Sequence, residues 1–190
     1  KIKKYRTKKI KKEIKQAKNI IHSPGISLKN NKNIYKFKKK IITDIDLFYL
    51  HDNKLKRIVV TGTNGKSTTC KLIGHLLKQN NFKYSLGGNI GMPILNLKNC
   101  KNNFVIIEAS SFQLSHSKFI CPDYALFLNL SNDHLDWHGS KNRYLNSKLK
   151  IFQLQKKKSF AIINKNLKKE YFKNKFPAKL LFPKIKDFRK

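Results

Sequence analysis

Short, uninterrupted apolar runs constrain the fold of this chain more than any other feature. These runs are Arg57–Thr61, Phe104–Ile107, Tyr124–Leu128 and Phe160–Ile163. Strands that are apolar at nearly every position are covered on both faces, as they are in parallel sheets. Helix-like patterns lie between the runs, over 66–79 and 141–155. The alternation predicts an α/β fold, with a mostly parallel sheet and flanking helices.

The rest of the chain is less regular. We expect a loose helix within 1–19, strands at Ile20–Ile21 and Ile41–Ile42, a capped helix start at 43–48, and a last strand at Lys179–Phe182. In the helix at 66–79, the buried face is expected to contain Leu72, Ile73, Leu76 and Leu77.

The chain is strongly basic, with 43 Lys and Arg against 10 Asp and Glu in 190 residues and a net charge of +33. Such an excess is typical of nucleic-acid-binding proteins. However, only 4 of the 43 are Arg, the residue best suited to bidentate recognition of phosphates and bases. Asn and Ile are also frequent, which favours the coding drift of an AT-rich genome over a nucleic-acid partner.

The spacing of the cysteines and the absence of a long apolar run indicate the cellular compartment in which the protein is expected. The three cysteines, Cys70, Cys100 and Cys121, have no CxxC spacing and fit reduced thiols rather than a disulfide framework or zinc site. No run approaches the roughly 18 apolar residues that span a bilayer, and no signal sequence is visible. We therefore expect a cytoplasmic monomer without a membrane partner.

A glycine-containing turn joins the first apolar run to the helix at 66–79. It reads Thr61–Thr68, TGTNGKST. Glycines at 62 and 65 let backbone N–H groups turn toward a phosphate, and the helix N-terminus adds a favourable dipole. Lys66 would reach the terminal phosphates, and Ser67 would offer a hydroxyl to Mg²⁺. Val60 stands where the longer form of this loop has glycine, and the alternative is an incidental βα turn.

Acidic and histidine side chains follow two other apolar runs. Glu108 ends the run at 104–107, where a carboxylate is placed to hold Mg²⁺, although an ion pair with lysine is the alternative. The polar loop 129–139 is a site candidate because it contains two acids, the two histidines His134 and His138, and Trp137. Its alternative is a solvent-exposed polar turn.

Lys148 occupies the apolar stripe of the helix at 141–155. Its neighbours three and four residues away are Tyr144, Leu145, Ile151 and Phe152. A lysine there either extends its amine to solvent or is desolvated, and desolvation lowers the pKa and yields a nucleophilic neutral amine. Periodicity leaves both possibilities open.

Five segments, in order and spacing, resemble the Mur ligase family. They are TGTNGKST at 61–68, GGNIGMP at 87–93, EASSFQL at 108–114, DHLD at 133–136 and YLNSKLKI at 144–151. The resemblance implies a three-domain enzyme. Residues 54–190 are similar to its central ATP-binding domain, and 1–53 to part of a Rossmann-like N-terminal domain that binds a UDP-linked substrate. Because the first residue is Lys1, we expect an internal piece of a longer protein, without the C-terminal ligase domain.

The resemblance also implies roles for individual residues. ATP would be bound by Gly62, Thr63, Asn64, Gly65, Lys66, Ser67 and Thr68. One Mg²⁺ would be held by Ser67 and Glu108, and another by His134 and a carbamoylated Lys148; Lys66, His134 and Lys148 would be the catalytic residues. The substrate would contact Asn89, Ser110 and Gln113.

The implied activity is ATP-dependent, ADP-forming addition of D-glutamate to UDP-N-acetylmuramoyl-L-alanine in peptidoglycan and cell-wall biosynthesis, through an acyl phosphate. The segments GGNIG and SSFQL favour this reaction over those of other Mur-type amide ligases, such as folylpolyglutamate synthase. Three further alternatives remain: a basic nucleic-acid-binding P-loop protein, a P-loop ATPase that assembles partners, and an inactive remnant. The piece alone is expected to be inactive.

Overall fold

The computed structural model describes residues 7–26, 32–51, 55–97 and 104–182. Two short parallel strands come first, β1 (Ile20–Ile21) and β2 (Ile41–Ile42). A six-stranded sheet follows, formed by β3 (Lys56–Thr61), β4 (Tyr84–Gly88), β5 (Phe104–Glu108), β6 (Tyr124–Phe127), β7 (Phe160–Ile163) and β8 (Lys179–Leu181). Its strand order is β4-β5-β3-β6-β7-β8, and every neighbouring pair is parallel. The predicted parallel α/β fold is confirmed.

Eight α-helices connect and cover these strands in the described part of the chain. They are α1 (Thr7–Gln16), α2 (Lys32–Tyr35), α3 (Asp44–His51), α4 (Lys66–Gln79), α5 (Ser111–His116), α6 (Leu135–His138), α7 (Lys141–Gln153) and α8 (Lys168–Lys173). Short 3₁₀ turns lie at Lys38–Lys40, Ile94–Asn96 and Lys165–Leu167. Among the described helices, none combines the length and apolar character needed to cross a membrane.

The apolar runs are strands, as predicted, with bounds that differ by a residue or two. β6 ends at Phe127 rather than Leu128, and α7 ends at Gln153 rather than 155. The weakly patterned β8 is also present. β4 and α5 were not predicted, because their sequences carry glycines and polar residues in place of a clear apolar period.

The sheet is covered on both faces. In β3, Val59 belongs to the larger apolar cluster, together with Phe127 and Ile151, whereas Ile58 and Val60 belong to a smaller cluster beneath α4. Because successive side chains of a strand point to opposite faces, the alternation places one cluster on each side. This double burial explains why the strands are apolar without interruption.

The buried face of α4 agrees with the prediction at Ile73 and Leu77, which pack against the smaller apolar cluster, and differs at the other two positions. Leu72 and Leu76 are 57% and 54% exposed, so their assignment to the core is wrong. The helix buries Cys70 and Gly74 instead, and Gly74 lies so close to β4 that an added Cβ would be 2.7 Å from the ring of Tyr84. This close approach turns the two leucines toward solvent.

α3 is tied to the sheet domain by one buried carboxylate. Asp46 Oδ1 accepts hydrogen bonds from Ser117 Oγ and from the backbone N–H groups of residues 118 and 119, at 2.7 to 2.8 Å. Its Oδ2 accepts from the N–H of Thr43, whose hydroxyl in turn accepts from the N–H of Asp46 and caps the helix. The predicted domain boundary, between 53 and 54, lies outside the described residues and stays a prediction.

Candidate functional site

The residues predicted to carry chemistry lie where three adjacent strands end. β3 leads into the glycine-containing loop, β5 ends at Glu108, and β6 leads into the loop that contains Asn129 and His134. In parallel sheets all carboxyl ends lie at one edge, which is where ligands bind. The topology therefore brings together segments more than 60 residues apart in sequence.

The loop between β3 and α4 has the conformation of a phosphate-binding turn. Gly65 precedes the helix with φ +79°, in the left-handed region that glycine adopts readily. Gly62 lies against the neighbouring strand end, and an added Cβ there would be 3.1 Å from Leu128 Cβ. The helix that follows is 14 residues long and directs its first N–H groups toward the loop.

Asn129 fixes this loop from the adjacent strand. Its Oδ1 accepts from the N–H groups of Thr63 at 3.1 Å and Asn64 at 2.9 Å, and its Nδ2 donates to the carbonyl oxygen of Asn64 at 3.1 Å. These two N–H groups are thus already bonded. No role was predicted for Asn129 from the sequence. Its position directly after a buried strand was the feature that could have indicated one.

Thr63 adds a second connection, to α7. Its Oγ1 lies 3.1 Å from the hydroxyl of Tyr144 and accepts from the N–H of Ser131 at 3.0 Å. The loop is therefore attached both to the strand edge and to the helix that carries Lys148.

Two lysines meet at one backbone oxygen. The carbonyl oxygen of Gly62 accepts from Lys66 Nζ at 3.0 Å and from Lys148 Nζ at 2.7 Å. Lys66 Nζ also donates to the carbonyl oxygen of Thr63 at 2.7 Å. The amine of Lys148 is therefore at the glycine-containing loop, although it is 86 residues away from Gly62 in sequence.

The structure places Lys148 among the buried side chains, and only 2% of its surface is exposed. Nζ lies 4.7 Å from the centre of the Tyr144 ring. The pKa of Lys148 is lowered to about 7, chiefly by burial and also by the positive charge of Lys66, while Asp133 acts in the opposite direction. Of the two possibilities, desolvation is the one observed, and near neutral pH a substantial fraction of the amine is uncharged.

Glu108 is buried beside Ser67 and Asn89. Its Oε2 accepts from Ser67 Oγ at 2.8 Å, and its Oε1 accepts from Asn89 Nδ2 at 2.9 Å. Gly88 makes this contact possible: its φ is +110°, and an added Cβ would lie 2.4 Å from the carbonyl oxygen of Glu108. No lysine or arginine of the described residues lies within ion-pair distance of Glu108, so the ion-pair alternative is not what the structure contains.

The negative charge of Glu108 affects the pKa of a neighbouring thiol. Burial, and then the nearby Glu108 carboxylate, raise the pKa of the Cys70 thiol to about 12, while Lys66 acts in the opposite direction. Cys70 is therefore a neutral core thiol below the loop.

His134 lies at the rim of the site. Its backbone is left-handed, with φ +54°, and Asp133 Oδ1 accepts its N–H at 2.9 Å and lies 3.3 Å from its Nδ1. Its ring is 6.2 Å from that of Tyr144, the ring that Lys148 Nζ also contacts. His134 and Lys148 thus both lie next to one aromatic ring.

His138, the second histidine of the predicted loop, to which no individual role was assigned, is buried next to the same ring. Its Nε2 lies 3.0 Å from Ser111 Oγ, and its ring stacks on Phe112 at 5.7 Å. Burial, reinforced by Lys148 and His134, lowers the pKa of His138 to about 4. It is neutral at physiological pH and positions α5 against α6.

Ser110 and Gln113, predicted to contact substrate, bond to each other. Ser110 caps α5 by accepting from the N–H of Gln113, and Gln113 Oε1 accepts from both the N–H and the hydroxyl of Ser110. Gln113 Nε2 donates to Asp44 Oδ2 at 3.3 Å. Their substrate role stays a prediction.

The oxygen atoms around Glu108 fit a hard cation better than a soft one. Among the described residues no group of three His, Cys, Asp or Glu side chains is arranged as a metal cluster. A carboxylate with an adjacent hydroxyl is, however, a donor set that Mg²⁺ accepts, with water or substrate phosphates supplying the remaining ligands. Ser67 and Glu108 fit such an ion; Lys148 offers no oxygen unless its amine is modified.

Comparisons with known proteins agree with this geometry. The family model described as Mur ligase middle domain matches residues 60–185. UDP-N-acetylmuramoylalanine–D-glutamate ligase from Rickettsia prowazekii is 44% identical over 147 residues, which cover 76% of this chain and 33% of that protein. The chain thus spans about a third of the length of the curated relatives it matches.

Solved structures show the same fold. MurF ligase from Thermotoga maritima, solved in complex with ADP, aligns with TM-score 0.56 and 20% identity over 89% of this chain and 48% of that one. The UDP-N-acetylmuramate:L-alanyl-gamma-D-glutamyl-meso-diaminopimelate ligase from Neisseria meningitides aligns with TM-score 0.61 and 16% identity, over 88% and 58%. Because the family model matches well over half of its length, the chain belongs to the Mur ligase family.

Proposed function

We propose that this chain is the ATP-binding part of a ligase that adds D-glutamate to UDP-N-acetylmuramoyl-L-alanine in the cytoplasm during peptidoglycan synthesis. The observation that carries the proposal is the meeting of Lys66 and Lys148 at Gly62, next to the Glu108–Ser67 pair. A phosphate loop and a buried carboxylate could position ATP and Mg²⁺ and offset the charge that develops when an acyl phosphate forms. The similarity to D-glutamate ligases supports the choice of substrate.

ATP would be bound by the loop 62–65 and the first turn of α4. Because the N–H groups of Thr63 and Asn64 are bonded to Asn129, the free N–H groups nearest to a phosphate are those at the start of α4. Lys66 would leave its two carbonyl acceptors and donate to a terminal phosphate, a charge-assisted bond that is stronger than the neutral bonds it replaces.

Mg²⁺ would be held by Ser67 and Glu108, where it would offset the negative charge of the phosphates. Glu108 is oriented for this role by Asn89 on one oxygen. If Mg²⁺ displaced the Ser67 hydroxyl from Oε2 of Glu108, both the hydroxyl and the carboxylate would be available to bind the ion.

Lys148 would act after reaction of its neutral amine with CO₂. The nitrogen forms a bond to carbon, one C=O bond opens to an oxyanion, and the ammonium proton passes to solvent, giving a carbamate. This change replaces a cation by an anion with two oxygens, which with His134 would hold a second Mg²⁺. The low pKa and burial of Lys148 favour the reaction.

In the proposed reaction the L-alanyl carboxylate attacks the γ-phosphorus of ATP. The bond between that phosphorus and the β,γ-bridging oxygen breaks, and ADP leaves. The amine of D-glutamate then attacks the acyl carbon, phosphate departs and a proton is lost from nitrogen. Lys66 would stabilise the charge on the transferring phosphoryl group, and Asn89, Ser110 and Gln113 would contact the muramoyl substrate.

The test is incorporation of labelled D-glutamate into UDP-N-acetylmuramoyl-L-alanine by the product of the complete gene that contains this sequence. We expect product to form together with ADP, and a fall of at least about 10³-fold for Lys148→Ala, since a metal ligand would be lost. Lys141→Ala, an exposed lysine on the same helix, is the matched control. Incorporation of L-glutamate into a folate substrate, with none of D-glutamate, would contradict the proposal.

A further inference from the structure

A carboxylate of the N-terminal part bonds to a residue that is predicted to contact substrate. Gln113 Nε2 donates to Asp44 Oδ2 at 3.3 Å, across 69 positions of sequence. Asp44 is partly buried in the first turn of α3 and is one of only 10 acids in the chain. The contact joins two segments that lie on either side of the predicted domain boundary.

Asp44 is itself fixed in place. Its Oδ1 accepts the N–H of Ile45 at 2.9 Å, so the two carboxylate oxygens have different partners. Two positions further along, the buried Asp46 accepts from Ser117 Oγ and from the two backbone N–H groups that follow. α3 thus holds α5 from both sides, with Asp44 near its N-terminal end and Asp46 at its C-terminal end.

The partners of Gln113 permit one orientation of its amide. The N–H of Ser110 is a donor and lies 3.1 Å from one end of the amide, so that end must be the oxygen. The Asp44 carboxylate is an acceptor, so the other end must be the nitrogen. Because Gln113 is only 5% exposed, little water is available to replace either bond if the amide turns over.

The hydrogen bonds of this amide determine what it can still offer to a ligand. Gln113 Oε1 accepts from both the N–H and the hydroxyl of Ser110, which uses its two lone pairs. Of the two N–H groups on Nε2, one is directed to Asp44. A single N–H remains, so Gln113 can act toward a substrate as a donor but not as an acceptor.

We propose that Asp44 is a positioning residue, which anchors the Gln113 amide so that an N–H is presented to the UDP-linked substrate. The inference rests on the proposed function, in which Ser110 and Gln113 contact that substrate. It adds the chemistry of the contact, because the substrate atom that Gln113 meets must then be an oxygen acceptor. The oxygens of a phosphate or carboxylate group suit this position best, since hydrogen bonds to charged acceptors are the stronger ones.

The first experiment tests whether Asp44 acts through Gln113. Titration calorimetry without ATP measures binding of UDP-N-acetylmuramoyl-L-alanine to the product of the complete gene, as wild type, Asp44→Ala, Gln113→Ala and the double variant. Asp44→Ala should raise the dissociation constant about five- to tenfold, because the amide loses its anchor. In the Gln113→Ala background the same substitution should have no further effect. Glu13→Ala, which removes an exposed acid from the N-terminal part, should bind as wild type does.

The second experiment exchanges donor and acceptor. In Gln113→Glu two carboxylates face each other, and the repulsion should lower the midpoint of urea unfolding. In the exchanged pair, Asp44→Asn with Gln113→Glu, the asparagine nitrogen can donate to the new carboxylate while its oxygen keeps the N–H of Ile45, so the midpoint should recover. Substrate affinity should stay about tenfold or more below that of wild type, because a carboxylate at position 113 has no N–H to offer.

Three results would overturn the proposal. Equal substrate affinity in wild type and Asp44→Ala would show that the amide needs no anchor, and an equal loss in both backgrounds would show that Asp44 does not act through Gln113. Full substrate affinity in the exchanged pair would show that Gln113 is not a donor. If circular dichroism shows that Asp44→Ala is unfolded, the exchanged pair decides alone.

Failure of the proposed function would look different. A wild-type protein that binds no UDP-N-acetylmuramoyl-L-alanine would contradict that function and the substrate contact with it. The unfolding midpoints would still report on the bond between residues 44 and 113, and a midpoint that does not recover in the exchanged pair would refute the bond itself.

Discussion

Lys66 and Lys148, from different helices, donate to the same acceptor, the carbonyl oxygen of Gly62. Two ammonium groups this close repel each other, which is one of the reasons that the pKa of Lys148 falls. If Lys66 turned to a phosphate, as proposed, Lys148 would keep Gly62 as its acceptor, so neither amine would be left unpaired.

Lys148 should make stability depend on pH. Below about pH 7 its amine is protonated in both the folded and the unfolded chain, and the full cost of burying the charge is present. Between about 7 and 10.5 the unfolded chain keeps a proton that the folded chain has lost, so the free energy of unfolding rises with pH. Lys148→Met should remove this rise, which over the full range is of the order of 5 kcal/mol at about 1.4 kcal/mol per pKa unit.

Urea unfolding at pH 6.5, 8 and 9.5 measures this difference between wild type and Lys148→Met. Lys141→Met, exposed at the start of the same helix, corrects for the general effect of removing a lysine. A wild-type-minus-variant difference that stays constant over this range would show that Lys148 is not desolvated in solution.

Lys66→Ala should weaken ATP binding by about 1.5–3 kcal/mol, roughly ten- to a hundredfold, because a charge-assisted bond to phosphate is lost. Isothermal titration calorimetry with ATP and Mg²⁺ measures the change. Lys71→Ala, at an exposed position of α4, serves as the control and should bind ATP as wild type does. Equal affinity in Lys66→Ala would disprove the phosphate-loop assignment.

Glu108→Gln should remove the effect of Mg²⁺ on ATP binding. The amide preserves the size of the side chain, but it has no charge to hold a divalent cation. In wild type, ATP affinity should be higher with Mg²⁺ than with a chelator; in the variant, the two values should be the same. Glu170→Gln, on α8, is a control for loss of one acid. A Mg²⁺ effect that persists in Glu108→Gln would place the ion elsewhere.

Asn129→Ala should loosen the phosphate loop. Three hydrogen bonds to Thr63 and Asn64 are lost, and we expect a decrease of about 1–3 kcal/mol in the free energy of unfolding, together with weaker ATP binding. Urea unfolding and calorimetry measure the two effects. Asn132→Ala, exposed in the same loop, should change neither. An unchanged ATP affinity in Asn129→Ala would mean that the loop keeps its shape without this side chain.

Local sequence was sufficient for some parts of the structure and not for others. Phe104–Ile107 is a strand because four consecutive apolar residues can be buried only between two covered faces. Periodicity identified α4 but only part of its buried side, since the full choice depends on Gly74 lying against Tyr84, a residue of the next strand.

In the candidate site, too, some features follow from local sequence and others depend on contacts between distant residues. The loop around Lys66 and the position of Glu108 follow from their strands, whereas the role of Asn129 depends on contacts with residues 65 and 66 positions away. For Lys148 the apolar neighbours in sequence left two outcomes, and only the path of α7 past Gly62 decides between them. Local sequence patterns do not predict contacts between distant segments of the chain.

Gly88 limits how far this sequence can drift. Its positive φ and the 2.4 Å separation between an added Cβ and the carbonyl oxygen of Glu108 exclude every side chain at that position. Gly25, by contrast, has no atom within 4 Å of such a Cβ. In a saturation library selected for folding, position 88 should retain only glycine, whereas position 25 should accept many residues. The compositional drift that enriched this chain in lysine therefore cannot replace the glycine beside Glu108.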